Sequence, residues 1–154
     1  MGVLNIRGIG ELLSRGADPN CIDDWGRSAL IKALRQSGEA ALALLEAGAK
    51  PNIQDKDGRT ALMYAAAYRN TELSNELLKA GANPNLKDQN GWTPLFYAVK
   101  GSATKTVKLL VEHGANVNVE DNEGGTPLML AESGIGESFD RKKIIKILKK
   151  AGAR

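Results

Sequence analysis

The sequence repeats itself with a period close to 33 residues, and this periodicity constrains the fold more than any other feature. One motif is Ser or Thr, then Ala or Pro, then Leu, with an Ala three residues after the Leu; its copies begin at Ser28, Thr60, Thr93 and Thr126. These starts are 32, 33 and 33 residues apart. A second motif, Gly-Ala-x-Pro/Val-Asn, keeps that spacing, with copies beginning at Gly16, Gly48, Gly81 and Gly114. Two motifs that recur in phase predict a repeat solenoid.

The unit at 88–120 shows what each copy is expected to form. It opens with Asp-Gln-Asn-Gly, a turn sequence in which Gly91 is free to adopt positive φ. Thr93 occupies a helix N-cap position, where its hydroxyl accepts a hydrogen bond from a free backbone amide, and Pro94 follows at the first helical position. Apolar residues recur at i, i+3 and i+4, as Leu95, Ala98 and Val99. We expect this helix to end near Gly101.

A second helix is predicted from about Thr104, with Val107, Leu109, Leu110 and Val111 facing inward. It ends before Gly114, which we expect at positive φ, as we do Gly81 one unit earlier. The first helix of each unit also carries an alanine at one fixed position, namely Ala33, Ala65, Ala98 and Ala131. A small side chain at that position lets neighbouring helices approach closely.

Both motifs resemble those of the ankyrin repeat, in which a β-turn precedes a Thr-Pro-Leu-His-x-Ala helix start and the second helix leads to a Gly-Ala-Asp-Val-Asn-like exit. The resemblance covers essentially the whole chain. It implies an all-α repeat solenoid, an ankyrin-repeat stack of antiparallel helix pairs with β-hairpin or turn tips projecting at a right angle. Apolar residues replace the family's His and suggest apolar contacts at Ile31, Met63, Phe96 and Met129.

The register predicts a single ankyrin-repeat domain over residues 1–154. It comprises a half repeat and four repeats, at 1–22, 23–54, 55–87, 88–120 and 121–154. The last repeat is five residues longer than the others, with the excess around 134–140. Insertions in a solenoid map to surface loops, so the fold is expected to tolerate deletion of residues 135–139.

The half repeat has no sequence for a first helix, so apolar surface is expected to remain open at the N-terminal end. The stripe that such a helix would help to cover is Leu30, Ala33 and Leu34. Exposed apolar patches mark interfaces, and this end is therefore a candidate contact with a partner or for weak self-association.

Residue counts argue against an enzyme. A single histidine, His113, and a single cysteine, Cys21, allow neither a His/Cys metal centre nor an intrachain disulfide. We interpret Cys21 as an inert, half-buried thiol, and His113 as a residue that suits a helix C-terminus. The aspartates belong to the repeated turns, and no glycine pair continues into a phosphate-binding loop. We therefore predict no catalytic residues, no metal, no cofactor and no small-molecule substrate.

The chain shows no membrane-spanning apolar stretch, and its first residues match neither a signal peptide nor a myristoylation motif. Together with the single cysteine, this favours a cytoplasmic or other intracellular location, including that of a protein delivered into another cell without a classical signal. The net charge of +3 is mild and disfavours a nucleic-acid partner.

Aromatic and cationic residues map to one side of the predicted stack. By the ankyrin resemblance, the turns and the outward side of the first helices form a concave, partner-facing surface. Residues of the types that dominate binding hot spots fall there. They are Trp25, Arg27, Lys32, Arg35, Arg59, Tyr64, Tyr68, Trp92, Tyr97 and Lys100. Trp92 is expected as an exposed tip residue whose loss weakens binding with little effect on stability.

The sequence therefore predicts a non-enzymatic protein–protein interaction module, acting as adaptor, scaffold or inhibitor through its concave surface. One alternative is a nucleic-acid or anionic-membrane binder that uses the basic closing helix, in which Ile144, Ile145, Ile147 and Leu148 form the buried stripe. Another is a structural fragment of a larger ankyrin-repeat protein.

Overall fold

The computed structural model describes residues 6–134 and 139–154, and over these residues it consists of nine α-helices joined by turns. The helices are α1 (Ile6–Ser14), α2 (Ala29–Leu34), α3 (Gly38–Glu46), α4 (Ala61–Ala67), α5 (Thr71–Lys79), α6 (Pro94–Lys100), α7 (Thr104–Glu112), α8 (Pro127–Ser133) and α9 (Phe139–Lys150). The extended pairing described is one isolated antiparallel bridge between Ile22 and Ser28. None of the described helices has the length and apolarity needed to cross a membrane.

The helices form two layers along the stack. In the first layer α2, α4, α6 and α8 pack side by side, and in the second layer α1, α3, α5, α7 and α9 do the same. Each first-layer helix also packs on the second-layer helix that follows it in sequence. This arrangement confirms the predicted all-α repeat solenoid. It places α1 in the second layer, where the sequence predicted the end of a second helix.

The helix starts lie where the motifs predicted them. The hydroxyls of Ser28, Thr60 and Thr126 each accept a hydrogen bond from the backbone amide three residues later. Thr93 also caps its helix, but the prediction for its hydroxyl was wrong, since Oγ1 is buried without a partner among the described residues. The amide of Phe96 instead donates to the backbone carbonyl of Thr93 at 3.0 Å, closing a tighter first turn.

The predicted helix ends are confirmed as well. α6 ends at Lys100 with Gly101 as its C-cap, and α7 starts at Thr104. Gly81 and Gly114 adopt φ of +89° and +80°, the left-handed conformation that closes a helix and reverses the chain.

The core lies between the layers and includes the fixed alanines, all of them buried. Val107 and Leu110 of α7 are buried as predicted, whereas Leu109 and Val111 are only partly buried. At the position of the family's His, three of the four apolar residues are buried, but Met129 is 55% exposed because α8 is the last helix of the first layer.

Two ladders of hydrogen bonds join successive units. Each turn after the first donates one backbone N–H to the preceding turn, as when Gln89 donates to the carbonyl of Asp57 at 3.0 Å. The second ladder uses the asparagine of the exit motif. Asn85 accepts from the amide of Asn116 at 2.8 Å and donates from Nδ2 to the carbonyl of Gly114 at 3.0 Å. Asn52 and Asn118 repeat this pair of bonds one unit away, so the turns are held in register.

The predicted insertion around 134–140 falls mainly on residues 135–138, which lie outside the described residues. The tolerance of the fold to deletion of 135–139 therefore stays a prediction. The boundaries predicted for the half repeat and the four repeats stay predictions as well.

Candidate functional site

The ten predicted binding residues all belong to the turns and the first-layer helices. We call the surface that these elements form the turn-and-helix surface. Trp25, Arg27, Arg59 and Trp92 lie in turns, just before helices α2, α4 and α6. Lys32, Tyr64, Tyr97 and Lys100 lie on those helices, and Arg35 and Tyr68 are C-caps.

Each turn is organised by one aspartate, namely Asp23, Asp55, Asp88 or Asp121. Its Oδ1 accepts the backbone N–H groups two and four residues later, at 2.8 to 3.0 Å. The sequence predicted this local role, because Asp commonly bonds the backbone of its own turn. What it did not predict is the second carboxylate oxygen, which faces the turn-and-helix surface in every unit.

That second oxygen has a different partner in each turn. Asp23 Oδ2 pairs with the Arg27 guanidinium at 2.9 Å and lies 3.9 Å from Lys32 Nζ. The hydroxyls of Tyr64 and Tyr97 donate to Asp55 and Asp88 at 2.7 and 2.5 Å. Trp92 Nε1 donates to Asp121 at 3.1 Å. Half of the predicted binding residues are thus held in place by turn carboxylates.

These contacts shift the pKa values of Asp121 and Tyr97 in the directions that favour their hydrogen bonds. Burial acts to raise the pKa of Asp121, but the amides of Gly125 and Glu123 and the Trp92 indole outweigh it, so the pKa lies below its usual value. Burial, reinforced by the neighbouring Asp88 carboxylate, raises the pKa of Tyr97 well above the usual value for tyrosine. Both shifts keep the hydrogen-bonding forms, an ionised Asp and a neutral Tyr, in place around neutral pH.

Arg59 lies between two of these tyrosines. Burial acts to lower its pKa, but the hydroxyl oxygens of Tyr97 and Tyr64 raise it overall. The guanidinium carbon is 5.9 Å from the centre of the Tyr97 ring, and Nη1 is 3.8 Å from Asp57 Oδ2. Its Nε is buried without a hydrogen-bond partner among the described residues. Arg59 therefore links two units and is fixed in position.

Trp92 is only partly exposed, so its expected place as an exposed tip residue was wrong. Its ring stacks on Phe96 with centroids 5.5 Å apart and meets the edge of Tyr97 at 5.4 Å. Lys100 Nζ lies 5.0 Å from the centre of the Trp92 ring. The ring contacts come from the same unit, whereas the indole N–H reaches across to the Asp121 turn of the next unit.

A cleft of about 340 Å³ opens beside this cluster. Four of the predicted residues line it, namely Arg59, Trp92, Tyr97 and Lys100, together with Asn90, Asn122, Asp121 and Glu123. The cleft combines aromatic faces with charges of both signs. Among the described residues, no group of three side chains has the composition to hold a metal ion.

Other predicted residues remain open to solvent. Trp25 is 62% exposed, with the Arg27 guanidinium carbon 4.8 Å from the centre of its ring. Tyr68 is 50% exposed and lies 6.3 Å from the Tyr64 ring. Arg35 and Lys100 are exposed too. The sequence analysis did not single out Arg69, an exposed residue directly after the α4 C-cap. Its position could have been noticed because cations also stand at the ends of α2 and α6, at Arg35 and Lys100.

The N-terminal end differs from the expectation. Leu30 and Ala33 are fully buried and Leu34 is partly buried, so that stripe is not open. The opening is instead a cavity of about 190 Å³ at the first turn, lined mainly by Leu13, Cys21, Ile22, Ala29 and Leu44 with several neighbours. Cys21 is exposed rather than half-buried. Contact of this end with another chain stays a prediction.

The closing helix α9 buries Ile144 and Leu148, while Ile145 and Ile147 are partly buried, as the stripe predicted. Its outer side exposes several lysines: Lys142, Lys143, Lys146, Lys149 and Lys150. Lys149 pairs with Glu132 of α8 at 2.9 Å. His113 is the C-cap of α7, and its Nδ1 lies 2.9 Å from the carbonyl of Leu109, in agreement with a structural role.

Comparison with known proteins identifies the family. A family model described as ankyrin repeats (3 copies) matches residues 5–88 and 65–154. A search of curated protein sequences found no match. Ankyrin repeats are in general protein–protein interaction modules and are typically non-enzymatic. The chain has repeated helix pairs, and the match extends over nearly its whole length. The chain therefore belongs to the ankyrin-repeat family.

Proposed function

We propose that this protein is a non-enzymatic adaptor, scaffold or inhibitor that binds a protein partner through the turn-and-helix surface. The observation that carries the proposal is the combination of exposed aromatic side chains with a rigid frame. The side chains of Trp25 and Tyr68 are 62% and 50% exposed to solvent. The turn carboxylates beside them are already committed to internal hydrogen bonds.

A surface ordered before association loses little conformational entropy when it binds. In this chain the order comes from Asp55 and Asp88, which hold Tyr64 and Tyr97, and from Asp121, which holds Trp92. Two of these held residues, Tyr97 and Trp92, line the cleft. Trp25 and Tyr68 act as anchors, because aromatic side chains contribute large contact areas at a small entropic cost.

The test compares two double variants of the full chain. Trp25→Ala with Tyr68→Ala removes both exposed anchors. Lys108→Ala with Glu112→Ala removes two exposed residues of α7 in the second layer and serves as the control. A partner isolated with the wild-type chain is titrated against each variant, and melting temperatures are compared.

We expect the anchor variant to lose about 2 kcal/mol or more of binding free energy, as is usual for hot spots, with little change in melting temperature. The control variant should bind like the wild type. Unchanged binding by a fully folded anchor variant would refute the proposed surface.

A further inference from the structure

Five cations of the turn-and-helix surface lie in two rows, and Lys32 lies beside Asp23 outside both. Arg27 and Arg59 form the turn row, and both are engaged with turn aspartates or tyrosines. Arg35, Arg69 and Lys100 form a second row at the C-terminal ends of α2, α4 and α6. We call this second row, together with Tyr68, the helix-end row. None of its three cations forms an ion pair with a described residue.

The helix-end row is continuous across three units, since α2 packs on α4 and α4 on α6. Tyr68 caps α4 within it. The stem of Arg69 extends over the next unit: its Cγ lies 3.6 Å from the point where a Cβ on Gly101 would stand, next to Lys100. Arg69 has φ of +59°, a conformation that Gly or Asn adopts with less strain. The backbone therefore does not require an arginine there.

Acidic residues form no ion pair with this row among the described residues, although Asp121 and Glu123 line the same cleft as Lys100. The acidic residues nearest in sequence to Arg35 and Arg69 are Glu39 and Glu72, which line a groove between α3 and α5 with Leu42, Asn70 and Leu73. The turn carboxylates of Asp55 and Asp88 are buried and bonded to tyrosines. A partner that pairs with the helix-end row has no existing ion pair to break.

We propose that the helix-end row binds an acidic, extended segment of the protein partner, a proposal that rests on the proposed function. Carboxylates of the segment pair with Arg35, Arg69 and Lys100, and an apolar side chain between them packs on Tyr68. Guanidinium groups suit carboxylates because they form two parallel hydrogen bonds with one partner. Helices packed 8–10 Å apart place the ends of the row about 20 Å apart, which about six extended residues span.

Two other classes of anionic ligand fit the row less well. A membrane-binding surface needs apolar side chains that insert, and the other exposed large apolar residues, such as Ile22 and Met129, lie outside the row. A nucleic-acid surface draws on many phosphate contacts, whereas the row offers three cations. Both classes are included as outcomes of the test.

The experiment uses a fluorescent peptide of about ten residues that alternates Glu and Leu, long enough to span the row. The comparison probes are the matching Lys–Leu peptide, single-stranded oligothymidine and phosphatidylserine vesicles. Arg69→Glu with Lys100→Glu reverses two charges in the row. Lys146→Glu with Lys150→Glu reverses two exposed charges on α9 and changes the net charge by the same amount. The two variants therefore differ in the place of the change and not in its size.

We expect the acidic peptide to bind the wild-type chain and to bind Arg69→Glu/Lys100→Glu at least about tenfold more weakly, since attraction becomes repulsion at two contacts. Lys146→Glu/Lys150→Glu should change its affinity less than about twofold, because remote exposed charges are screened by salt. Arg35→Gln with Lys100→Gln, which removes charge without repulsion, serves as a milder second variant if the first fails to fold.

Three results would overturn the proposal. One is an equal loss of affinity in the row variant and the α9 variant, and another is tighter, row-dependent binding of oligothymidine or vesicles than of the peptide. The third result is obtained with the isolated partner protein, and it shows whether the acidic segment alone or the proposed function as well is refuted. If the isolated partner loses binding to Trp25→Ala/Tyr68→Ala but binds Arg69→Glu/Lys100→Glu normally, only the acidic segment is refuted. If it binds both variants normally, the proposed function fails too.

Discussion

At the residue scale, the turn aspartates connect local structure with the binding surface. One oxygen of Asp121 organises its own turn through the amides of Glu123 and Gly125, and the other fixes the indole of Trp92 in the preceding unit. A residue type that the sequence assigns to turns thus also decides which side chains of the surface are free to meet a partner.

Asp121→Asn is predicted to make stability less dependent on pH. The pKa of Asp121 in the folded chain lies below the usual value of 3.8, so its ionised form stabilises the fold above that pH, and this contribution is lost as pH falls through the folded pKa. We expect the variant to melt below the wild type at neutral pH and the two to converge in acid. Melting curves over that range, with exposed Asp24→Asn as control, check this; a gap that persists in acid would contradict it.

Replacing Trp92 by Ala is predicted to destabilise the chain much more than replacing Trp25 by Ala. Trp92 stacks on Phe96 and bonds to Asp121, so its loss should cost about 2 kcal/mol, below the range for a fully buried Trp. Trp25 is largely exposed, and its loss should stay within about 0.5 kcal/mol. Urea unfolding of the two variants measures the difference. Equal free energies of unfolding would show that Trp92 does not support the fold.

At the scale of elements, the turns stack on one another, and glycine has two separate reasons to be in them. Gly91 and Gly124 both adopt φ of +79°. A Cβ on Gly91 would lie 2.7 Å from Asn122 Oδ1 and 2.9 Å from its backbone nitrogen, whereas nothing lies within 4 Å of a Cβ on Gly124. The two glycines therefore share a backbone requirement and differ only in the approach of the next turn.

Gly91→Ala is predicted to destabilise the chain more than Gly124→Ala. Both variants pay about 1 kcal/mol for a side chain at positive φ, and Gly91→Ala should lose about 1–3 kcal/mol more because the next turn is pushed away. Denaturant unfolding of the pair isolates the contribution of turn stacking. Similar losses in both variants would mean that the turn ladder adds little to stability.

At the scale of the whole molecule, the main packing of the described helices is between neighbouring units, so a defect at one interface is expected to act locally. Gly91→Ala weakens the contact of the turn at Gly91 with the turn at Asp121. We predict that Gly91→Ala increases the rate of amide hydrogen exchange, relative to the wild type, more in α8 and α9 than in α2 and α3. Mass spectrometry of the two proteins measures this difference. Uniformly faster exchange along the chain would indicate a single cooperative unit.

Local chemistry explains what the sequence by itself determined. The period, the helix starts at Thr60 and Thr126 and the left-handed Gly81 and Gly114 all depend on backbone preferences within a few residues, and all are as predicted. The fixed alanines were predictable for a related reason, because the same helix contact recurs in every unit.

Only the tertiary structure decided which surface residues are free. Trp92 is held against the next turn by a hydrogen bond to Asp121, 29 residues away in sequence. Arg59 is held between tyrosines of two units. Arg69, by contrast, is left without an ion pair among the described residues. These outcomes depend on which side chains meet when one unit stacks on the next. A repeat motif specifies that the units stack, but the residues that vary between the repeats determine what meets across each interface.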